Sequence, residues 1–206
     1  MSNNPRTICY SCYRPQTSCM CKHITPIETN TRFIILMHPK EFRKTKNGTG
    51  HFTNLSLSNC EIFVGIDFSR HKEINAILDN TENNCFALYP SENSINLNKG
   101  NITKKHKNTV LFLIDATWPC SRAMLKASPN LDALPKVSFS HTKRSEFLFK
   151  EQPKAYCLST MESTHCILEL LNAHDAENIS EEKLEQFLSP FKQMVKYQTD
   201  YTSSNK

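Results

Sequence analysis

Two constellations in this chain combine residue types and spacing that can do chemistry. The first is Asp115-Ala116-Thr117-Trp118, where an acid, a hydroxyl and the only tryptophan follow directly on the apolar run Val110 to Ile114. A carboxylate can hold a cation or take a proton, a hydroxyl can donate or accept a hydrogen bond, and an indole can stack on a planar ring. The second is a set of four thiols, Cys9, Cys12, Cys19 and Cys21, in Cys-x-x-Cys and Cys-x-Cys spacing. Two thiolate pairs on short turns can converge on the tetrahedral geometry that Zn²⁺ favours, with metal–sulfur bonds of ~2.3 Å. The polar turn between them, Arg14 to Ser18, has too few apolar residues to fold alone, and a metal supplies the missing stabilisation. Four thiolates close the coordination shell, so the zinc is expected to be structural. Iron–sulfur ligation is the alternative, with His23 nearby as a substitute ligand.

The elements around the first constellation explain why it reads as a site. Val110 to Ile114 has the uninterrupted apolarity of a strand buried on both faces, as in a parallel sheet. Pro119 suits the first turn of a helix continuing through Ala127. Asp115 and Thr117 therefore stand at the carboxyl end of a strand and before a helix N-terminus, where open α/β sheets bind ligands. The structural alternative is that one of them caps the helix and Trp118 fills the core.

Further buried strands are expected at Arg32 to His38, Glu61 to Ile66 and Cys85 to Tyr89. Shorter ones are expected at Lys136 to Phe139 and Ala155 to Leu158. Lys40 to Leu57 reads as a polar loop or helix entry, and Lys72 to Leu78 as a helix. Ser159 or Thr160 is expected to cap a helix through Leu171. Ser180 opens a last helix, with Pro190 predicted to kink it and a frayed tail after Tyr197. Strands alternating with helices predict an α/β fold with a largely parallel sheet and flanking helices. The expected division is a zinc-knuckle segment over 1–30, the α/β domain over 31–198 and a tail over 199–206.

A chain of 206 residues with a formal charge of +5 holds one substantial core and permits an anionic partner. Basic residues cluster at Lys40, Arg43, Lys44 and Lys46, at Lys104, Lys105 and Lys107 with His106, and at Lys143-Arg144 beside His141. Three such groups favour a polyanion. No apolar run approaches the ~20 residues of a membrane helix, and the N-terminus lacks the apolar core of a signal peptide; a cytoplasmic protein without membrane attachment is expected. Cys60, Cys85, Cys120, Cys157 and Cys166 read as small hydrophobes. There is neither a glycine-rich phosphate loop nor a dinucleotide fingerprint.

In order along the chain, the N-terminal cysteines, His38-Pro39-Lys40-Glu41, Tyr89-Pro90-Ser91, Asp115-Ala116-Thr117-Trp118 with Arg122-x-Met124-Leu125, and Ser159-Thr160-Met161-Glu162-Ser163 together resemble the DTW-domain proteins. The chain departs from that family's pattern at Asn47-Gly48-Thr49-Gly50, which carries an extra glycine, and at Ser163, where alanine is common. The resemblance implies a tRNA-uridine aminocarboxypropyltransferase related in fold to the knotted SPOUT RNA methyltransferases. It implies S-adenosylmethionine as the donor of a 3-amino-3-carboxypropyl arm to N3 of a uridine, with 5′-methylthioadenosine released.

On that reading Asp115, Thr117 and Trp118 are the expected catalytic residues. Tyr89, Pro90, Ser91, Asp115, Ser159, Thr160 and Glu162 are expected to hold S-adenosylmethionine, and Cys9, Cys12, Cys19 and Cys21 the metal. Asp115 has two candidate roles, binding the methionine α-ammonium or accepting the N3 proton; His38 is a further candidate contributor. Competing readings are a SPOUT-type methyltransferase, a non-catalytic RNA-binding module and, least supported, a cysteine hydrolase using Cys120. The residues leave open the oligomeric state and whether the cysteine segment touches RNA.

Overall fold

The computed structural model describes residues 7–43, 48–103, 106–141, 145 and 158–203. Its centre is a six-stranded sheet in the order β2-β1-β5-β3-β6-β4, with every pairing parallel. The strands are β1 (Arg32–Met37), β2 (Cys60–Val64), β3 (Asn83–Leu88), β4 (Ile95–Asn96), β5 (Asn108–Asp115) and β6 (Lys136–Ser138). The apolar runs are continuous because the sheet is covered on both faces. Phe33, Ile35, Met37, Phe86, Leu111 and Leu113 share one buried cluster, while Ile34, Leu36, Ala87, Val110 and Phe112 share the other.

Helices α2 (Thr49–Leu55), α6 (Thr160–Ala173), α7 (Glu181–Phe187) and α8 (Ser189–Ser203) contribute to the first cluster through Phe52, Ile167, Phe187 and Phe191. Helices α3 (Lys72–Asp79), α4 (Trp118–Ala127) and α5 (Pro129–Asp132) contribute to the second through Ile74, Met124 and Leu131. The chain leaves β1 through α1 (Pro39–Phe42) and α2 and leaves β5 through α4. Adjacent strands thus send their connections to opposite faces. Such a switch point opens a crevice at the carboxyl ends of β1 and β5, and Met37 pairs there with Asp115.

The cysteine segment is not a separate body, since Cys12 and Met20 lie in the same buried cluster as Phe52, Phe191 and Met194. Another tie comes from Glu177, whose buried carboxylate accepts hydrogen bonds from the Asn30 and Thr31 backbone N–H groups, both at 2.7 Å. Glu177→Ala strands two donors at the entry to β1 and is expected to lower unfolding free energy by about 2–4 kcal/mol. Urea denaturation reads this directly, and an unchanged midpoint contradicts the assignment.

The 40–57 stretch, read as a polar loop or helix entry, supplies two short helices, with His38 capping the first by accepting from the Lys40 N–H at 3.1 Å and Gly48 preceding the second. Two expectations change. Pro190 does not kink one helix but stands in the first turn of the separate helix α8, where a missing N–H costs nothing. That helix also continues past Tyr197 to Ser203, with the Thr199 hydroxyl bonded back to the Val195 carbonyl at 3.0 Å. Of the strand expected at Ala155 to Leu158, all but Leu158 lies outside the described residues, and Leu158 is irregular.

Candidate functional site

Asp115 ends β5 and is gripped from three directions. Its backbone carbonyl accepts the His38 N–H at 3.0 Å, which fixes the end of β1 against it. Its Oδ1 accepts the Thr160 hydroxyl at 2.8 Å, bringing in the first turn of α6. On the third side lies Gly50 of α2, where any Cβ would overlap Asp115 Oδ2 and come within 2.7 Å of Met37 Cε. Only a glycine lets the helix approach the carboxylate this closely. Gly50, the last residue of the Asn47-Gly48-Thr49-Gly50 stretch, therefore has a steric role; Asn47 itself lies outside the described residues.

Beside this junction is a cavity of about 350 Å³, lined by Leu88, Tyr89 and Pro90 at the end of β3, and by Leu113, Ile114, Ala116, Trp118 and Ser121 across the β5–α4 junction. Ser138, Phe139 and His141 after β6, and Leu158, Thr160 and Ser163 around the start of α6, complete the lining. Its volume suits a small-molecule ligand, and its make-up, apolar and aromatic with a few hydroxyls and one imidazole, is that of such sites. Trp118 is 40% exposed and meets Tyr89 edge-on, with centroids 5.8 Å apart. The ring is therefore held from one side and open to a partner on the other.

Of the residues expected to form the site, Tyr89, Pro90, Trp118 and Thr160 line the cavity. Asp115 reaches it through Thr160. Thr117 is the exposed N-cap of α4, and its side chain makes no capping bond. Ser91 is exposed, its carbonyl taken by the Ser94 hydroxyl at 2.8 Å. Ser159 and Glu162 form a capping box at the start of α6, and Glu162 Oε2 also accepts from the Ser145 hydroxyl at 2.8 Å. These two fix the helix start that carries Thr160.

Ser138, Phe139 and His141 join the lining although no motif singles them out. Their signal is weak: a three-residue strand whose place beside β3 depends on the sheet order. Ser138 also bonds to Ser94 at 2.8 Å, tying the loop after Tyr89-Pro90-Ser91 to this wall. The basic groups separate as well. Lys40 lies on α1 after the carboxyl end of β1, whereas Lys107 precedes β5, ~26 Å along the strand from Asp115 at 3.3 Å per residue. Lys44, Lys46, Lys104, Lys105, Lys143 and Arg144 lie outside the described residues.

The four N-terminal cysteines converge, with all their sulfurs within 4.8 Å of one another. Cys9 and Cys21 Sγ are 3.6 Å apart, and Cys12 and Cys19 Sγ 3.8 Å. Sulfurs around a tetrahedral ion with bonds of ~2.3 Å stand about 3.8 Å apart, so the set fits a metal. Tyr13 closes the first turn with φ of 57° and donates its N–H to the Cys9 carbonyl at 2.8 Å. Hydrogen bonds from the Cys12 and Ser11 backbone bring the Cys9 thiol down to about 6, whereas burial pushes Cys21 up. His23 is not part of the cluster.

Comparison with known proteins finds relatives along most of the chain. A Drosophila melanogaster protein named tRNA-uridine aminocarboxypropyltransferase 2 is 29% identical over 204 residues, covering 96% of this chain and 77% of the relative. Its Mus musculus namesake is 26% identical, over 82% of this chain and 58% of its own length. An Arabidopsis thaliana protein named tRNA-uridine aminocarboxypropyltransferase A is 29% identical, over 97% and 84%. No solved structure matches. The DTW domain model aligns with residues 6–199, from the cysteine cluster through α8, and the chain belongs to the DTW-domain family.

Proposed function

We infer that this protein transfers the 3-amino-3-carboxypropyl group of S-adenosylmethionine to N3 of a uridine in tRNA. The observation that carries the reading is the cavity at the end of β5, walled by Trp118, Tyr89 and Thr160, in a chain whose relatives bear that activity's name over most of its length. In the reaction N3 bonds to Cγ of the methionine moiety while the Cγ–S bond breaks. The electron pair of that bond neutralises the sulfonium, 5′-methylthioadenosine leaves, and the N3 proton passes to a base.

All three carbons on the sulfonium are activated, so choosing Cγ over the methyl is a matter of positioning. The cavity takes the adenosine among Leu88, Tyr89 and Phe139, with hydroxyls of Ser121, Ser138 and Ser163 as hydrogen-bonding groups. Trp118 presents its open face to the uracil. Asp115 holds the α-ammonium of the donor: the Thr160 hydroxyl bond fixes the direction of the carboxylate, which suits gripping a cation. Thr117, Pro90 and Ser91 shape the mouth, and Ser159 and Glu162 position Thr160. Zn²⁺ held by Cys9, Cys12, Cys19 and Cys21 braces the N-terminal segment. The reading includes a SPOUT-like knotted topology and a cytoplasmic site of action.

Gly50→Ala pushes against the Asp115 carboxylate, and a displacement of about 1 Å at a positioning group costs on the order of 100-fold in rate. Turnover is expected to fall by about that factor with the fold retained, as read by transfer rate beside a circular dichroism melt. Wild-type turnover in this variant contradicts the arrangement. The function itself is tested by chromatography of the spent donor. 5′-Methylthioadenosine is expected; S-adenosylhomocysteine would instead assign a methyltransferase.

A further inference from the structure

The turn that carries the first cysteine pair also carries two tyrosines that the site around Asp115 does not use. Tyr10 is 91% exposed and Tyr13 40%. A single exposed tyrosine is ordinary, but here two stand at one short turn of a metal-competent cluster, Tyr10 between Cys9 and Cys12 and Tyr13 directly after Cys12. Tyr13 packs on His51 and Phe42, with centroids 4.9 and 5.7 Å away, and Phe42 closes α1. That helix begins after His38, whose N–H bonds to the Asp115 carbonyl. Aromatic rings thus run from the cysteine turn to the edge of the candidate site. The exposed cations Lys40 and Arg43 flank Phe42, and exposed Lys22 follows Cys21.

Below this turn lies a second cavity, of about 520 Å³, bounded by Ser11, Tyr13, Phe42, α2 and the outer strand β2. Its wall holds His51, which donates from its ring to the Phe42 backbone; His51 Nε2 and Asn54 Oδ1 have no partner among the described residues and are closed off from solvent. Glu61 and Glu73 add carboxylates to the lining, the former paired with Arg32 at 2.6 Å. A phosphate offers such walls nothing, whereas a nucleobase brings amino donors and a flat face.

We propose that the cysteine turn and the cavity beneath it dock an unpaired nucleobase of the RNA substrate, stacked on Tyr10 and Tyr13, with Lys22, Lys40 and Arg43 meeting the adjoining phosphates. The inference rests on the tRNA reading above. Unpaired bases splayed onto aromatic side chains are the usual route to recognising RNA beyond its helical shape. The surface sets which nucleotides flank the modified uridine.

The test measures equilibrium binding of unmodified tRNA by full-length wild-type, Tyr10→Ala and Tyr10→Phe proteins, with S-adenosylmethionine affinity and melting temperature alongside. Loss of one stacked base weakens binding by about 5- to 150-fold, and that loss is expected for Tyr10→Ala. Tyr10→Phe keeps the ring and is expected to bind as wild type, with donor affinity and melting unchanged in both variants. Wild-type affinity in Tyr10→Ala overturns the proposal, as does equal weakening in both variants. A changed sedimentation coefficient with unchanged RNA affinity also overturns it, in favour of self-association. If tRNA binding depends on the Tyr10 ring while no group is transferred, the functional reading fails and this surface stands. If Tyr10→Ala transfers the group and binds tRNA as wild type does, the functional reading stands and this surface fails.

Discussion

Asp115→Asn is expected to lower transfer of the aminocarboxypropyl group by about 100- to 1,000-fold, the usual cost of losing one preorganised charged group at a reacting centre. Asparagine keeps the side-chain volume and an acceptor for the Thr160 hydroxyl, so the melting transition is expected to stay near wild type. The loss then reports charge and not collapse of the β5 end. A carboxylate gripping the α-ammonium predicts weaker S-adenosylmethionine binding in this variant. A carboxylate acting as the base would lower kcat with donor affinity unchanged. Thr160→Val, which removes the hydroxyl bond at 2.8 Å and retains shape, is expected to move donor affinity the same way by a smaller factor. Near-normal turnover and donor affinity in Asp115→Asn would remove Asp115 from both roles.

The second large effect concerns the cysteines. Cys12 is 1% exposed and belongs to the main core, so a metal held there would be coupled to packing. Structural zinc contributes roughly 10–16 kcal/mol in isolated finger peptides; a segment leaning on an existing core needs less of it. For Cys12→Ser the expected destabilisation is about 4 kcal/mol, which lowers the melting temperature by about 8–16 °C in a chain of this length. Prolonged chelation of the wild-type protein is expected to lower it similarly, and added Zn²⁺ to restore it. A melting curve indifferent to chelator, together with an unaltered Cys12→Ser transition, would leave the cluster without a metal.

The parts legible from the sequence are those with strong local physics. The apolar runs read at Arg32 to His38 and Val110 to Ile114 announce two-sided burial because no polar residue interrupts their centres. The cysteine spacing announces convergence because a metal needs it. Ser159 and Thr160 before an apolar stripe announce a helix start, because a hydroxyl there can accept a first-turn N–H; the structure gives the cap to Ser159.

The parts that are not legible depend on neighbours distant in the chain. Nothing in the composition of β5 says that it inserts between β1 and β3, or that β6 lies between β3 and β4; yet that order is what brings Phe139 and His141 to the cavity. Gly50 looks like a loop glycine until Asp115 is found against its Cα. Pro190 reads as a kink because a proline's local effect does not say whether the helix before it has already stopped.

The most direct measurement supplies purified protein with unmodified tRNA and two samples of S-adenosylmethionine, one labelled in the carboxyl carbon and one in the methyl group. Aminocarboxypropyl transfer predicts carboxyl label in the RNA, with the methyl label released as 5′-methylthioadenosine. Methyl label entering the RNA instead, or neither label entering any of a panel of tRNAs that the protein binds, would contradict it.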